Sequence, residues 1–385
     1  MQRVDCPERD DWRLTAAKVG FNFHTMDDER YWDESAYYAL SLEQIEKQIE
    51  APSAEIEAMC LELIDEVIDD EQQLRRLQIP EAFWPMIAAS WERDDPSLYG
   101  RLDLSFDGTG PARLLEYNAD TPTSLLEAAV FQWIWLEQGI ERAVLPTGAD
   151  QFNSIHESLI EGWREFDLTH RLHFTAALES DEDAGTLAYL EDTARQAGFT
   201  TTMLDVGEIG LRDDGCFVDM ENRPVTRAFK LYPWEWMFRE AFGAHLIKSD
   251  TQWIEPPWKA ILSNKGLLPL LWEKFPQHPN LLPAYFDDDP SADALGSTYV
   301  RKPIYSREGA NVTLVRGGET QFDRTGPYGA EGFIRQAWAP LPNFAGRYPV
   351  LGSWIVSGEP CGLSIREDSG PITSNTSRFI PHAIV

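Results

Sequence analysis

The chain has 385 residues, of which 43% are hydrophobic and 12% aromatic, a composition typical of a globular protein with a sizeable core. Its 33 basic and 64 acidic residues give a formal net charge of −31. Such a charge repels phosphate backbones and anionic lipids, so neither nucleic acid nor a membrane is an expected partner. The charge serves either solubility or the attraction of a cationic substrate.

The four cysteines stand far apart in the sequence, with no Cys-x-x-Cys among them. This pattern predicts free thiols and indicates neither a disulfide framework nor a thiolate zinc site. Residues 1–11 are charged where a secretory signal would be apolar, and the most apolar stretch, 125–136, is too short to span a bilayer. We therefore expect a cytoplasmic protein.

Residues 41–67 have a helical pattern. Residues 41–44 form a capping box, and apolar residues recur at helical spacing over 45–67. Pro52 interrupts this stretch. Because proline disrupts a helix interior, we expect two packed helices here.

A β-hairpin is predicted over 98–118. Apolar and polar residues alternate over 98–106 and again over 113–118. Turn residues occupy 107–110 between these two stretches. A simple register would place Phe106 opposite Pro111 and Arg101 opposite Glu116. One face of the hairpin would then carry Arg101, Asp103, Glu116 and Asn118. The opposite, core-facing side would carry Leu102, Leu104, Leu115 and Tyr117.

The polar face of this hairpin has two interpretations. Two carboxylates and an amide oxygen form a hard ligand set of the kind that Mg²⁺ takes while it also binds substrate phosphates. Arg101 would add a planar cation for a transferring phosphoryl group. Alternatively, Arg101 and Glu116 form an ordinary ion pair across two strands.

Several polar segments could bind an anion or could be purely structural. Hydroxyl-rich residues 119–124 precede an apolar helix, where Thr123 or Ser124 either caps the helix or helps to bind an anion. A strand over 299–303 presents Lys302, and the loop 306–312 either folds over a triphosphate or closes a plain hairpin. Two further basic residues have the same two interpretations, Lys265 before the helix 267–272 and Arg366 at a strand end.

The rest of the chain predicts an α/β layer followed by a β-rich portion. Helix, strand, helix and strand are expected at 155–166, 172–177, 185–197 and 200–205. Strands and glycine turns dominate from residue 299 onward, with hairpin turns at 317–318 and 357–358. The fold class is therefore mixed α/β (α+β).

Five motifs occur in one order along the chain: 98–103, 116–124, 263–265, 300–304 and 306–311. Together they resemble the glutathionylspermidine synthase family, and the similarity is collinear over almost the whole chain. The synthetase module of that family is an ATP-grasp ligase. It phosphorylates the glycine carboxylate of glutathione with ATP, and an amine of spermidine attacks the acyl-phosphate. The resemblance implies an ATP-grasp architecture whose subdomains enclose the nucleotide, with ATP and Mg²⁺ as cofactors.

The resemblance also implies roles for individual residues. Arg101 would stabilise the transferring phosphoryl group, and Arg307 and Arg366 would act in the lid and at the C-terminal end of the active site. The implied magnesium ligands are Asp103, Glu116 and Asn118. The implied nucleotide-binding residues are Lys265, Lys302, Gly309, Gln336, Ala337, Trp338 and Ala339. The implied substrate-binding residues, besides Arg101, are Thr121, Thr123, Glu182 and Asp183.

Two departures from the family pattern concern the substrates. Bulky Leu231 and Trp236 lie in a stretch where the family has a substrate-binding threonine, so the acceptor pocket is expected to differ. The cysteine amidase module of the bifunctional members has no counterpart, so hydrolysis of the conjugate is not expected.

The resemblance favours a carboxylate–amine ligase that uses a glutathione-like or peptide acid and a polyamine or other amine. The alternatives are a non-catalytic or regulatory homologue that binds nucleotide or polyamine, and an ATP-using kinase or phosphatase acting on a small acid. Within one domain spanning 1–385 we expect three subdomains: a metal-binding hairpin portion at 1–150, a substrate-side layer at 151–250, and a nucleotide-binding and lid portion at 251–385.

Overall fold

The computed structural model describes residues 1–26, 28–167, 169–374 and 377–385. The helices are α1 (Trp12–Lys18), α2 (Leu42–Ile45), α3 (Ala51–Val67), α4 (Glu71–Arg76), α5 (Trp84–Glu92), α6 (Gln132–Glu141), α7 (Ile155–Trp163), α8 (Asp181–Ala197), α9 (Trp234–Met237), α10 (Gly243–Leu246), α11 (Lys259–Leu262) and α12 (Leu267–Lys274). Short π-helical turns occupy Glu46–Glu50 and Glu127–Phe131, and 3₁₀ turns occupy Glu81–Phe83, Val206–Glu208 and Pro290–Leu295.

The strands are β1 (Gln2–Asp5), β2 (Thr25–Met26), β3 (Glu29–Arg30), β4 (Ala36–Leu40), β5 (Tyr99–Ser105), β6 (Arg113–Asn118), β7 (Leu172–Ala176), β8 (Thr201–Asp205), β9 (Gly210–Leu211), β10 (Phe217–Val218), β11 (Arg227–Leu231), β12 (Gln252–Ile254), β13 (Ala284–Phe286), β14 (Tyr299–Pro303), β15 (Thr313–Arg316), β16 (Glu319–Asp323), β17 (Phe333–Ala337), β18 (Tyr348–Val356), β19 (Glu359–Asp368), β20 (Arg378–Phe379) and β21 (His382–Ile384). Together with the helices they make the mixed α/β class that the sequence predicts.

The predicted hairpin is the edge of an antiparallel sheet with the order β20-β19-β18-β5-β6. Strand β5 pairs on one side with β6 and on the other with β18, so the hairpin is joined to a C-terminal strand pair. One face of the hairpin is buried, with Leu102, Leu104 and Leu114 fully enclosed in a core that also contains apolar residues of α3. This packing fixes the opposite, polar face in place.

The register of the hairpin differs from the prediction. Near the turn Leu104 lies opposite Leu114, one residue from the predicted pairing. A β-bulge between Asp103 and Leu104 adds a second residue, so Arg101 lies opposite Asn118 and Asp103 opposite Glu116. The four polar side chains still share one face, since the observed register differs from the predicted one by two residues at that end. Leu114 and Tyr117 are buried in β6, and the prediction of Leu115 as a core residue is wrong because Leu115 is the extra residue of the bulge.

The expectation of two separate helices over 41–67 is also wrong. Helix α2, the π turn at Glu46–Glu50 and helix α3 form one uninterrupted helical run. Pro52 lies in the first turn of α3, directly after the π turn. The π turn changes the hydrogen-bond pattern directly before Pro52, since the N–H of Ala51 bonds to the carbonyl of Glu46, and this accommodates a residue without an N–H inside the continuous run. The capping box of Ser41 with Gln44 is confirmed.

The predicted α/β layer is confirmed. Its sheet is parallel, with the order β12-β11-β7-β8. Helices α7 and α8 pack on the face that carries Phe174 and Phe229. The other face carries Thr175, Lys230 and Trp253, and ligands of such sheets bind beyond the carboxyl ends of the strands.

A second antiparallel sheet has the order β13-β17-β14-β15-β16. Its strand β14 bears Lys302, and the paired strand β17 bears Gln336 and Ala337. The predicted glycine turns close the β15–β16 and β18–β19 hairpins. The four cysteines are free thiols, as predicted. In the part of the chain that the structure describes, no helix has the length and apolar character needed to cross a bilayer.

Candidate active site

Two clefts meet at the polar face of the hairpin. The larger cleft has a volume of about 1380 Å³ and polar walls, and the smaller one has a volume of about 720 Å³. Asp103, Glu116, Gly309 and Thr373 line both of them. A group held by the two carboxylates would therefore face both clefts at once.

Asp103 and Glu116, the carboxylates of the wall that the two clefts share, are paired with cations. The guanidinium of Arg101 donates two hydrogen bonds to Asp103, at 2.7 and 3.1 Å, and a third to the carbonyl oxygen of Thr123 at 2.8 Å. The amide of Asn118 donates to Asp103 at 3.0 Å. The carboxylate of Glu116 lies 3.0 Å from the ammonium of Lys265. The cross-strand ion pair between Arg101 and Glu116 is therefore not formed.

Opposing charges hold this wall in a defined ionisation state. Burial opposes ionisation of Glu116, but the charges of Lys265 and Lys302 outweigh it and lower the pKa of Glu116 to about 2. Burial lowers the pKa of Lys302 to about 8, although the charge of Glu116 opposes this shift. The ammonium of Lys302 donates to the carbonyl oxygen of Leu115 at 2.8 Å. Near neutral pH the wall thus combines carboxylates with lysine cations.

The donor set fits Mg²⁺. Asp103 and Glu116 are direct cross-strand neighbours, and Asn118 adds an amide oxygen on the same face. Within the described ranges no group of three or more His, Cys, Asp or Glu side chains is arranged to bind a metal, so a protein cage of carboxylates is not present. Mg²⁺ commonly takes one or two carboxylates and completes its shell with water and substrate phosphates. This wall offers that combination.

The smaller cleft combines apolar walls with a lysine. Leu115, Val312 and Leu314 contribute apolar surface, and Lys302 contributes a cation next to the shared carboxylates. The segment predicted to bind the nucleotide, Gln336, Ala337, Trp338 and Ala339, lines the same cleft. The amide of Gln336 is 2% exposed and donates to the carbonyl oxygen of Leu114, which ties this segment to β6. A flat ring with a phosphate tail would suit the cleft.

The loop between β14 and β15 reaches over the meeting point of the clefts. Arg307 donates to the hydroxyl of Thr121 at 2.7 Å and to the carboxylate of Glu235 at 2.9 Å. Gly309 has φ = +70°, and a Cβ at this position would lie 2.5 Å from the carbonyl oxygen of Thr373. Glycine is therefore required where the loop passes closest to its neighbour.

Part of the wall of the larger cleft is acidic. Glu182 and Asp183 belong to the first turn of α8 and line this cleft. Burial and the neighbouring charge of Glu182 raise the pKa of Asp183 to about 6. Arg366 also lines the cleft and donates to the carbonyl oxygen of Ser374 at 2.6 Å. The pair of carboxylates suits an ammonium group.

Every residue to which the family resemblance assigns a role lines one of the two clefts. The larger cleft is lined by Arg101, Asp103, Glu116, Asn118, Thr121, Thr123, Glu182, Asp183, Lys265, Arg307, Gly309 and Arg366. The smaller cleft contains Lys302 and the segment 336–339. The departures Leu231 and Trp236 lie in the wall of the larger cleft as well. The expected helix cap at Ser124 is not formed through its side chain, because the Ser124 hydroxyl bonds to the hydroxyl of Tyr31 at 2.8 Å.

Sequence reasoning missed the buried groups that support the site. Lys230 and Asp120 form an ion pair at 2.5 Å, and both side chains are 1% exposed. The carboxylate of Glu255 accepts backbone N–H bonds at the start of β5, and the ammonium of Lys259 donates to the carbonyl oxygen of Tyr99. Lys230 and Asp120 are 110 residues apart in the sequence, so no local pattern indicates their pairing.

The fold resembles a solved structure of a glutathione synthetase-like effector from Globodera pallida, with a TM-score of 0.57, 12% identity and 98% of each chain covered. This similarity shows that the two chains share a fold. The chain belongs to the glutathionylspermidine synthase preATP-grasp family, whose model matches residues 3–385. This is a family of ATP-dependent enzymes that form amide bonds.

Curated relatives extend this result. A Haemophilus influenzae protein with the provisional name acid–amine ligase is 39% identical over 100% of both chains. Trypanothione synthetase of Crithidia fasciculata is 30% identical over 83% of this chain, and the bifunctional glutathionylspermidine synthetase/amidase of Escherichia coli is 29% identical over 91% of it. The matched region spans 52% and 59% of the length of those two relatives.

Proposed function

We propose that the protein is an ATP- and Mg²⁺-dependent ligase that joins a glutathione-like or other peptide carboxylate to a polyamine or other amine through an acyl-phosphate. The observation that carries this proposal is the wall of Asp103 and Glu116 shared by the two clefts. A phosphoryl group passing from a nucleotide to an acid must cross such a boundary. We further propose that the enzyme works in the cytoplasm.

In this proposal Asp103, Glu116 and Asn118 would hold Mg²⁺, which neutralises phosphate charge when it is bound. Lys302 supplies a cation in the smaller, nucleotide-side cleft, and Lys265 supplies one in the larger cleft. Arg101 is held against Asp103 by two hydrogen bonds, so its guanidinium is oriented before any substrate arrives. A charge that is already oriented needs little reorganisation when the phosphoryl group moves.

The remaining residues act on the acid and the amine. The loop that carries Arg307 and Gly309 covers the meeting point and excludes water, which would otherwise hydrolyse an acyl-phosphate. Glu182 and Asp183 bind the ammonium form of the amine. Asp183 has a pKa of about 6, and it is the residue suited to take the proton that the amine loses before it attacks.

The test measures ADP release with Mg²⁺-ATP and a panel of peptide acids and amines. We expect turnover that requires both an acid and an amine. In Glu116→Gln, which keeps the shape of the side chain and removes its charge, we expect a loss of at least about 100-fold. The matched control is Glu43→Gln, because Glu43 is 73% exposed and lies outside both clefts.

The same assay separates the alternatives. Hydroxylamine traps an acyl-phosphate as a hydroxamate, so hydroxamate formed from ATP and an acid supports the first step. ADP release that needs the acid but is indifferent to every amine would instead identify a kinase. Tight ATP binding without turnover for any acid–amine pair would favour a nucleotide-binding homologue.

A further inference from the structure

A third cavity, of about 490 Å³, lies on the face of the parallel sheet opposite α7 and α8. Its walls are largely apolar and come from the segment after β8, from β10, and from the segment with α9 and α10. Val206, Phe217, Met237 and Leu246 are among the lining residues. Sheets of this type bind ligands beyond the carboxyl ends of their strands.

Two buried polar atoms in this cavity have no partner. Thr175 is 1% exposed and Trp253 is 6% exposed, and both line the cavity. Among the described residues, neither the Oγ1 of Thr175 nor the Nε1 of Trp253 has a hydrogen-bond partner. Buried donors without a partner are rare in native proteins because each one loses its hydration without compensation. A bound molecule with hydrogen-bonding atoms would compensate them.

The buried charge of the cavity is already compensated. The ammonium of Lys230 bonds to the carboxylate of Asp120 at 2.5 Å. The carboxylate of Glu240 belongs to an exposed residue and accepts a hydrogen bond from the hydroxyl of Tyr232. An anionic ligand would have to compete with Asp120 for Lys230, whereas a neutral ligand would leave that pair intact.

We propose that this cavity binds a small uncharged molecule with an aromatic or alicyclic body and a carbonyl oxygen. The oxygen has two lone pairs and accepts from both Trp253 Nε1–H and Thr175 Oγ1–H, while the body contacts the apolar walls. Tyr232 lines this cavity and also the larger cleft of the active site. The bound molecule therefore contacts a wall of the proposed acceptor cleft without occupying that cleft.

The test compares two probes of similar shape, acetophenone and ethylbenzene, in ligand-observed NMR titrations of the full chain. Only acetophenone carries the acceptor oxygen. We expect saturable binding of acetophenone that is about 3- to 10-fold tighter than binding of ethylbenzene. Absence of saturable acetophenone binding, or equal affinities for the two probes, would overturn the proposal.

Variants locate the binding. Thr175→Val removes one donor with little change in shape, and Trp253→Phe removes the other donor together with part of the ring system. Each is expected to reduce the preference for acetophenone. The matched control is Thr186→Val, because Thr186 is also fully buried with an unpartnered hydroxyl but does not line this cavity. A preference that survives in both donor variants would overturn the proposal. Near-UV circular dichroism checks that each variant is folded. The assay contains no ligase substrate, so its outcome is independent of the proposed enzymatic function.

Discussion

The ion pair between Lys230 and Asp120 allows a quantitative prediction. Its charged atoms lie 2.5 Å apart, and both side chains are 1% exposed. With an effective dielectric constant of about 20, the attraction at this distance is about 7 kcal/mol, which is offset by the desolvation of both charges. Asp120 also accepts a hydrogen bond from the backbone N–H of Trp234. Removing one partner leaves the other charge buried and uncompensated.

We therefore expect Lys230→Met and Asp120→Asn each to lower the free energy of unfolding by about 3–5 kcal/mol. The double variant removes both charges and retains an acceptor for Trp234, so its loss should be smaller than that of either single variant. Urea denaturation followed by tryptophan fluorescence measures all three. The control pair is Lys47 with Glu43, whose side chains are 66% and 73% exposed.

In the control pair, Lys47→Met and Glu43→Gln should each change the free energy of unfolding by less than about 1 kcal/mol. If the loss of the double variant equalled the sum of the losses of Lys230→Met and Asp120→Asn, the reasoning would be contradicted, because neither charge would then depend on the other. Losses below about 1 kcal/mol in the single variants would contradict it as well.

Three further predictions concern the clefts. The pKa of Lys302 is about 8, so its charge is present below that pH and is lost as the pH rises. The affinity for ATP, measured by calorimetry, should therefore fall about tenfold between about pH 7 and pH 9. Lys302→Arg should remove this dependence, because a guanidinium stays charged. A Cβ at Gly352 would lie 2.7 Å from the Cδ of Arg101 and would displace that side chain. Gly352→Ala should therefore lower kcat by about 100-fold. The control Gly148→Ala, where the space is open, should leave kcat unchanged. The pKa of Asp183 is about 6, so its carboxyl group is neutral at lower pH. The KM for the amine should therefore fall as the pH rises from about 5 to 7. In Asp183→Asn the KM should not change over this range.

Local patterns in the sequence predicted the elements that carry the site. Period-two alternation and turn residues identified the strands β5 and β6, and the parity of the pleat placed Arg101, Asp103 and Glu116 on one face. The helical pattern over 45–67 was also informative, but it could not reveal that a π turn would place Pro52 in a tolerated position. Hydrogen bonding around such a turn depends on packing and not on local composition.

Long-range pairing was beyond the reach of the sequence. The partners of Glu116 and Arg307 are Lys265 and Glu235, and nothing in the spacing of these residues indicates that they meet. The bulge between Asp103 and Leu104 was equally hidden, since neither residue is a glycine that would mark an irregular strand. Resemblance to a family supplied the prediction that the segment 336–339 binds the nucleotide, since its side chains carry no catalytic pattern of their own.

The bulge in the hairpin has a consequence for the evolution of the chain. Near the turn, Leu104 pairs with Leu114, and the same register continued without a bulge would place Asp103 opposite Leu115 and Arg101 opposite Tyr117. A single-residue deletion at the bulge would therefore exchange charged and apolar neighbours along the whole shared wall. Among active relatives we expect insertions and deletions to accumulate in the connection at 106–112, whereas the number of residues between 114 and 118, which includes the extra residue of the bulge, should be invariant.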